Sequence, residues 1–225
     1  MTSKEFVYIT YYFYLSAYIL PISIGLFTWK QQPKAIRYII INMIILGLIL
    51  LFSSLAPKFG IKNNLFLNYI SSVVDYTFIG LAYALAFREL KIKKTIYASI
   101  VLIAIITILD AYLITGHKNF SVFSNNLKII FRMLLVIYYL VRLIRSEISQ
   151  KLSNIPLFLL ACIYLSSSSI AIITDSLQKY FMTNRLINDL YALMAFSFLL
   201  DGIFILLMAI PIWKAPHSPY NRLQV

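Results

Sequence analysis

Three ionisable side chains stand where an apolar sequence accommodates charge least. Asp75 falls near the centre of the apolar run 65–87, Arg132 about halfway along the run 122–141, and Asp201 near the centre of the run 187–213. An ionised group at mid-bilayer costs about 3 kcal/mol on insertion scales, so such groups pair with one another or face a water-filled cavity. Asp75 and Arg132 each lie ten residues from the start of their runs. That is roughly 15 Å at 1.5 Å per residue, with Asp201 about one helical turn deeper. If the three runs cross in one direction, an Asp75–Arg132 ion pair is geometrically allowed. Asp110, in the run 95–115, and Asp175, at the end of the run 155–177, fall near the interface from which that depth is counted. Two readings follow. Asp75, Arg132 and Asp201 line a polar cavity open to one side with Asp110 near its mouth, or Asp75 and Arg132 lock two helices together without a ligand.

Small hydroxylated residues add a second pattern: Ser53-Ser54, and Ser166, Ser167, Ser168 and Ser169 in one unbroken row. Such residues let helix backbones approach and hydrogen bond, at about 0.6 kcal/mol each on average. Helix packing is their ordinary meaning, and lining a polar path is the alternative.

Other chemistries lack their residues. His117 and His217 fall in segments on opposite sides of the apolar runs and cannot share a metal, whereas a catalytic zinc needs several converging His and carboxylate ligands. Haem would need axial ligands within the runs, and retinal would need a lysine where Asp201 stands. A phosphate-cradling glycine loop, a Ser-His-Asp set and a His-Glu-x-x-His motif are missing. Cys162 is the one cysteine, which excludes an intrachain disulfide or a Cys-based metal site. The chain is expected to be no enzyme and to hold no cofactor and no metal.

The elements that must position these residues follow from hydropathy. Of the 225 residues, 61% are hydrophobic and 12% charged, against roughly 25% charged in soluble domains, and the mean hydropathy is +0.83. A span needs roughly 20 apolar residues to cross about 30 Å of hydrocarbon. Seven runs meet or approach that length: 6–29, 38–55, 65–87, 95–115, 122–141, 155–177 and 187–213. The first is longer than the roughly 7–15-residue core of a signal peptide and lacks a small-residue cleavage site, so it reads as a retained helix. The separators are short, which makes successive helices antiparallel neighbours and leaves no room for an aqueous domain. The expected fold is all-α: residues 1–225 form one polytopic bundle of about seven transmembrane helices. Pro21 and Pro211 lie within the first and last runs and are candidate kinks.

Orientation follows from Lys and Arg, which are retained on the cytoplasmic side of short loops. One side carries twelve: Lys30, Lys34, Arg37, Arg88, Lys91, Lys93, Lys94, Arg142, Arg145, Lys151, Lys214 and Arg222. The other carries seven: Lys4, Lys58, Lys62, Lys118, Lys128, Lys179 and Arg185. This bias places the amino terminus outside and the carboxyl terminus in the cytoplasm, with Trp29 and Trp213 at cytoplasmic helix ends. Because the net charge of +12 is scattered among the loops rather than gathered in a stripe, nucleic acid is not an expected partner; the lipid bilayer is.

Residues 63–178 contain Tyr69-Ile70-Ser71-Ser72-Val73-Val74-Asp75-Tyr76, then Ile155-Pro156-Leu157-Phe158 and Ile163-Tyr164-Leu165-Ser166. In these motifs the chain resembles a group of uncharacterised small seven-helix integral membrane proteins of Bacteroidota-type bacteria. In that group the third span usually carries a glutamate followed by an aromatic residue, with His or Asn six residues before it. Those places here hold Asp75, Tyr76 and Tyr69, so Tyr69 departs from the pattern and removes a polar partner. Similar seven-helix regions serve as input modules of sensory kinases, which is what the resemblance suggests.

The leading expectation is a seven-helix sensor or signalling component of the cell (inner or plasma) membrane. It would bind a small-molecule ligand in an outward-facing cavity and work with a cytoplasmic or membrane protein partner. Arg132 would hold an anionic group or pair with Asp75 until displaced. A small-solute or proton-coupled transporter is the alternative. Three plus one plus three spans would then form a parallel repeat, with Asp75 and Asp201 in equivalent helices and Ser53-Ser54 facing Ser166-Ser167. A structural or accessory membrane subunit is the third class.

Overall fold

The computed structural model describes residues 3–60, 64–114, 123–146 and 151–218. Lys62, His117, Lys118 and Arg222, and the run ends at Thr115 and Val122, lie outside the described residues. Among the described residues the chain is helices and short connections, with no strand.

The two prolines named as candidate kinks coincide with helix breaks, although a proline tolerated in a continuous membrane helix is the more ordinary reading. α1 (Ser3–Ala17) and α2 (Ile19–Phe27) are separated at Tyr18, three residues before Pro21. α8 (Ile187–Leu207) and α9 (Ala209–Lys214) are separated at Met208, three residues before Pro211. A proline supplies no N–H to the carbonyl four residues back and crowds it, so each helix bends there. α1 lies along α8 and α2 along α9, which sets the two breaks side by side. A third proline, Pro216, deprives Ile212 O of its helical donor. Gln32, buried just beyond α2, donates to that oxygen from Nε2 at 2.9 Å and so ties the ends of these two spans together.

Between them run α3 (Lys34–Leu55), α4 (Phe66–Ala86), α5 (Leu90–Leu109), α6 (Phe123–Arg145) and α7 (Pro156–Thr183). α3 starts after Pro33 in extended conformation, and α7 starts on Pro156, whose missing N–H costs nothing in a first turn. α5 continues into a π-helical turn, Asp110–Ile114. The α7–α8 turn places Arg185 at φ 58°, left-handed for a residue with a Cβ.

Among the described residues six segments are long and apolar enough to cross a membrane: Ser3–Phe27, Lys34–Phe59, Phe66–Ala86, Leu90–Ile114, Pro156–Thr183 and Ile187–His217. The chain is membrane-embedded on that ground. α6, with 23 residues, or about 35 Å, is long enough but carries Lys128, Arg132, Arg142 and Arg145. Large apolar side chains cover the outside of the bundle, Phe27, Leu113 and Leu90 among them. So much exposed apolar surface suits lipid rather than water.

Contacts between elements set the order of helices around the bundle: α1/α2, α3, α4, α6, α7, α8/α9 and back to α1. α5 packs on α4 and α6. α4 is the most enclosed of the six segments. At one end α4 and α6 are closed by fully buried aromatic rings, Tyr83 against Tyr139 at 5.1 Å between centroids and Phe87 against Tyr139 at 6.2 Å. Close packing at that end leaves polar residues the other half of the bundle.

Candidate functional site

A cavity of about 320 Å³ opens in that half, walled by α1, α3, α4, α6, α7 and α8. α5 contributes no residue to it. The lining positions repeat at helical spacing. On α6 they are Asn125, Lys128, Ile129 and Arg132; on α4 Leu67, Asn68, Ser71 and Asp75; on α7 Tyr164, Ser167, Ala171 and Asp175; on α8 and the break that follows it Asp201, Phe204, Ile205 and Met208. Residues three and four apart share a helix face, so each helix turns one stripe inward. The cavity runs from mid-bundle towards the end where α3 finishes and α4 and α6 begin. There a second hollow of about 140 Å³ shares Asn68, Ser71, Asn125 and Lys128 with it.

Asp75 is the hub, 8% exposed and bonded on both oxygens. Asn42 of α3 donates from Nδ2 to its Oδ1 at 3.0 Å. Arg132 of α6 donates from Nη1 to its Oδ2 at 3.0 Å. Lys128 Nζ stands 3.6 Å from that same Oδ2. Arg132 is held from two further directions. Its Nε donates to Ser168 Oγ of α7 at 2.9 Å, and its guanidinium lies over the Tyr164 ring at 5.7 Å. Four helices thus meet on one charge network. Each hydrogen bond to a charged group contributes about 1.5–3 kcal/mol where water is excluded.

The other acidic residues have different neighbours. Asp175 accepts from Asn125 Nδ2. Asp201 lines the cavity and makes no hydrogen bond or ion pair with the described residues. Tyr14 and Tyr18 of the first span share a hydroxyl–hydroxyl contact of 3.4 Å on the same wall. Asn42 is 2% exposed, and its Oδ1 has no partner among the described residues. Asp110 lies apart from the cavity, fully buried where α5 ends, and accepts from the Ser124 backbone N–H at 3.3 Å. There it tethers the start of α6.

Of the residues singled out by sequence, Asp75, Arg132 and Ser168 are brought into direct contact. Asp201 and Ser167 reach the same cavity, and Ser166 is exposed on another face of α7. Two readings are corrected: Asp110, expected near the mouth of the cavity, is not among its lining residues because α5 packs on the outer side of α4 and α6, and Lys128, counted with the outer-loop charges, sits inside α6 with its side chain 12% exposed. The run 122–141 leaves Lys128 well within the helix, and its place four residues before Arg132 was the signal that both cations share a face. Asn42 and Tyr164 carried no such signal, because a single amide or phenol in an apolar run faces any direction until neighbouring helices are placed. Among the described residues no three His, Cys, Asp or Glu side chains gather as metal ligands. Compared with protein families, with curated proteins and with solved structures, the chain matches none.

Proposed function

We propose that the chain is a seven-helix sensor of the cell membrane that binds a small polar solute in the cavity around Asp75. One observation carries the reading: five ionisable side chains, Asp75, Lys128, Arg132, Asp175 and Asp201, line a single cavity of about 320 Å³. A bundle needing only rigidity gains more from apolar packing than from buried charge. The volume is at the low end of the roughly 300–1,000 Å³ of small-molecule sites, which suits a compact solute.

In this reading α6 is the seventh span, because its place in the ring keeps Lys128 and Arg132 off the lipid. The amino terminus is outside and the carboxyl terminus cytoplasmic, as the Lys and Arg bias requires. With Lys128 inside the bundle, that bias becomes twelve against six. The cavity then faces outward, and the end closed by aromatic rings faces the cytoplasm.

A sensor needs a ligand that binds one of two conformations better than the other. Tyr18 and Met208, where the first and last spans bend, both line the cavity. A solute seated against them therefore touches the two places where these spans can flex. It also competes for Asp75 and Arg132, whose pairing joins α4 to α6. The cytoplasmic rim, with Lys30, Lys34, Arg88, Lys91, Lys93 and Lys94, would dock an acidic partner protein.

Transport is the second reading, and the helix order favours it. With α5 off the cavity wall, spans one to three and five to seven divide the ring into two halves, as in a parallel repeat.

Thermal unfolding of the purified protein across small anions, sugars and amino acids, repeated in Asp75→Asn, tests the proposal. A solute-dependent rise in midpoint that the variant loses is the expected result. A flat panel would sink it and leave a structural subunit. Uptake of the stabilising solute into proteoliposomes separates transporter from sensor.

A further inference from the structure

The cavity wall is unbalanced in charge, and the imbalance has a place. Three carboxylates, Asp75, Asp175 and Asp201, face two cations, Lys128 and Arg132. Both cations lie against Asp75. Asp175 has an amide donor, and Asp201 has neither a hydrogen-bond donor nor a cation within 4 Å among the described residues. An unpaired carboxylate inside a membrane bundle is neutralised by a proton or by a bound cation.

A second, independent feature points to a ligand that donates hydrogen bonds. Asn42 commits its amide N–H to Asp75 and leaves Oδ1 without a partner among the described residues, although the residue is 2% exposed and lines the cavity. A buried acceptor left empty costs about 1–3 kcal/mol, so a small turn of this amide towards the cavity that Asn42 lines is favoured once a solute bearing N–H groups is seated there. Tyr14, Tyr18 and Tyr164 line the same wall. Aromatic faces attract organic cations, and Tyr164 already lies under the Arg132 guanidinium.

From these features we infer that the solute is a small organic ammonium compound. Asp201 is its counter-ion, Asn42 Oδ1 accepts one of its N–H groups, and tyrosine rings flank its carbon frame. This rests on the cavity being a solute site, as proposed above. A bare metal cation fits less well. It would want a shell of oxygens, whereas the neighbours of Asp201 on the α8 stripe are Phe204, Ile205 and Met208.

The test is thermal unfolding of the full chain in detergent with ethylammonium chloride and with ethanolammonium chloride. Sodium chloride at matched ionic strength, sodium acetate and glucose are the comparisons. The expected result is a rise in midpoint with the two ammonium salts above that with sodium chloride. Asp201→Asn should weaken the concentration dependence at least about tenfold, as loss of a desolvated charge partner does, while Asp201→Glu keeps part of it. Asp201 makes no hydrogen bond or ion pair with the described residues, so the unliganded midpoint of Asp201→Asn should stay near wild type, which separates a lost site from a lost fold. An equal rise with sodium chloride, or an ammonium response indifferent to Asp201→Asn, overturns the inference. Stabilisation by acetate or glucose alone overturns it while leaving a solute cavity standing. No response to any probe overturns both.

Discussion

Arg132 Nη1 and Lys128 Nζ, one turn apart on α6, converge on the same oxygen of Asp75, at 3.0 Å and 3.6 Å. Two cations on one carboxylate make the network asymmetric. Asp75→Asn strands both cations, whereas Arg132→Gln leaves Lys128 to pair with Asp75. Breaking a buried pair by removing one partner costs about 3–5 kcal/mol. Asp75→Asn should therefore cost that much, Arg132→Gln and Lys128→Gln less, and Asp75→Asn with Arg132→Gln should recover part of the loss. Detergent unfolding of the single and double variants measures this. Additive effects would mean that the two side chains do not interact.

The serine row on α7 splits by face. Ser168 is fully buried and accepts from Arg132 Nε, while Ser166 is exposed. Ser168→Ala leaves an Arg132 N–H unmatched and should cost about 1–3 kcal/mol. Ser166→Ala should stay within about 0.5 kcal/mol. Comparing their unfolding midpoints decides the matter, and equal effects would place Arg132 elsewhere.

Gly202 lets α8 close on α1. A Cβ there would meet Phe13 Cε1 at 2.5 Å and the Tyr14 backbone Cα at 3.3 Å, while at Gly47 the nearest atom would be 3.5 Å away. Alanine gains about 1 kcal/mol in helix propensity at either site. Overpacking costs about 1–3 kcal/mol. Gly47→Ala is expected to be neutral or stabilising and Gly202→Ala to be destabilising. A Gly202→Ala protein as stable as wild type would show that the seam is looser than described.

Topology is testable because the chain has one cysteine. In a Cys162→Ser background, a membrane-impermeant thiol reagent added to whole cells should label Lys58→Cys and leave Lys93→Cys unlabelled until the membrane is opened. The reverse pattern would invert the orientation. Labelling of both from outside would mean that α4, which joins the two sites, does not cross the membrane.

Apolar run length and short separators were enough to place the helices and to single out Asp75, Arg132 and Asp201 as costly in lipid. Pro21 and Pro211 could be read as breaks because a missing N–H is a property of the residue itself. Lys128 was misplaced because hydropathy treats a lysine near the start of a run as a loop charge, although its spacing to Arg132 puts both on one helical face.

What the amino-acid sequence determined by itself was one-dimensional: which segments are helical, how far along its segment each charge lies, and how lysine and arginine divide among the connections. These follow from side-chain transfer energies and the 1.5 Å rise of a helix, and neither depends on a neighbour. The azimuth of each helix and the order around the ring were decided by tertiary structure. They turned Asn42 and Ser168 onto the Asp75–Arg132 pair, left α5 and Asp110 away from the cavity, and brought Asp201 to its wall with no hydrogen bond or ion pair among the described residues. Such relations depend on which ridges of one helix fit the grooves of the next, a sum over many weak contacts between residues far apart in the chain.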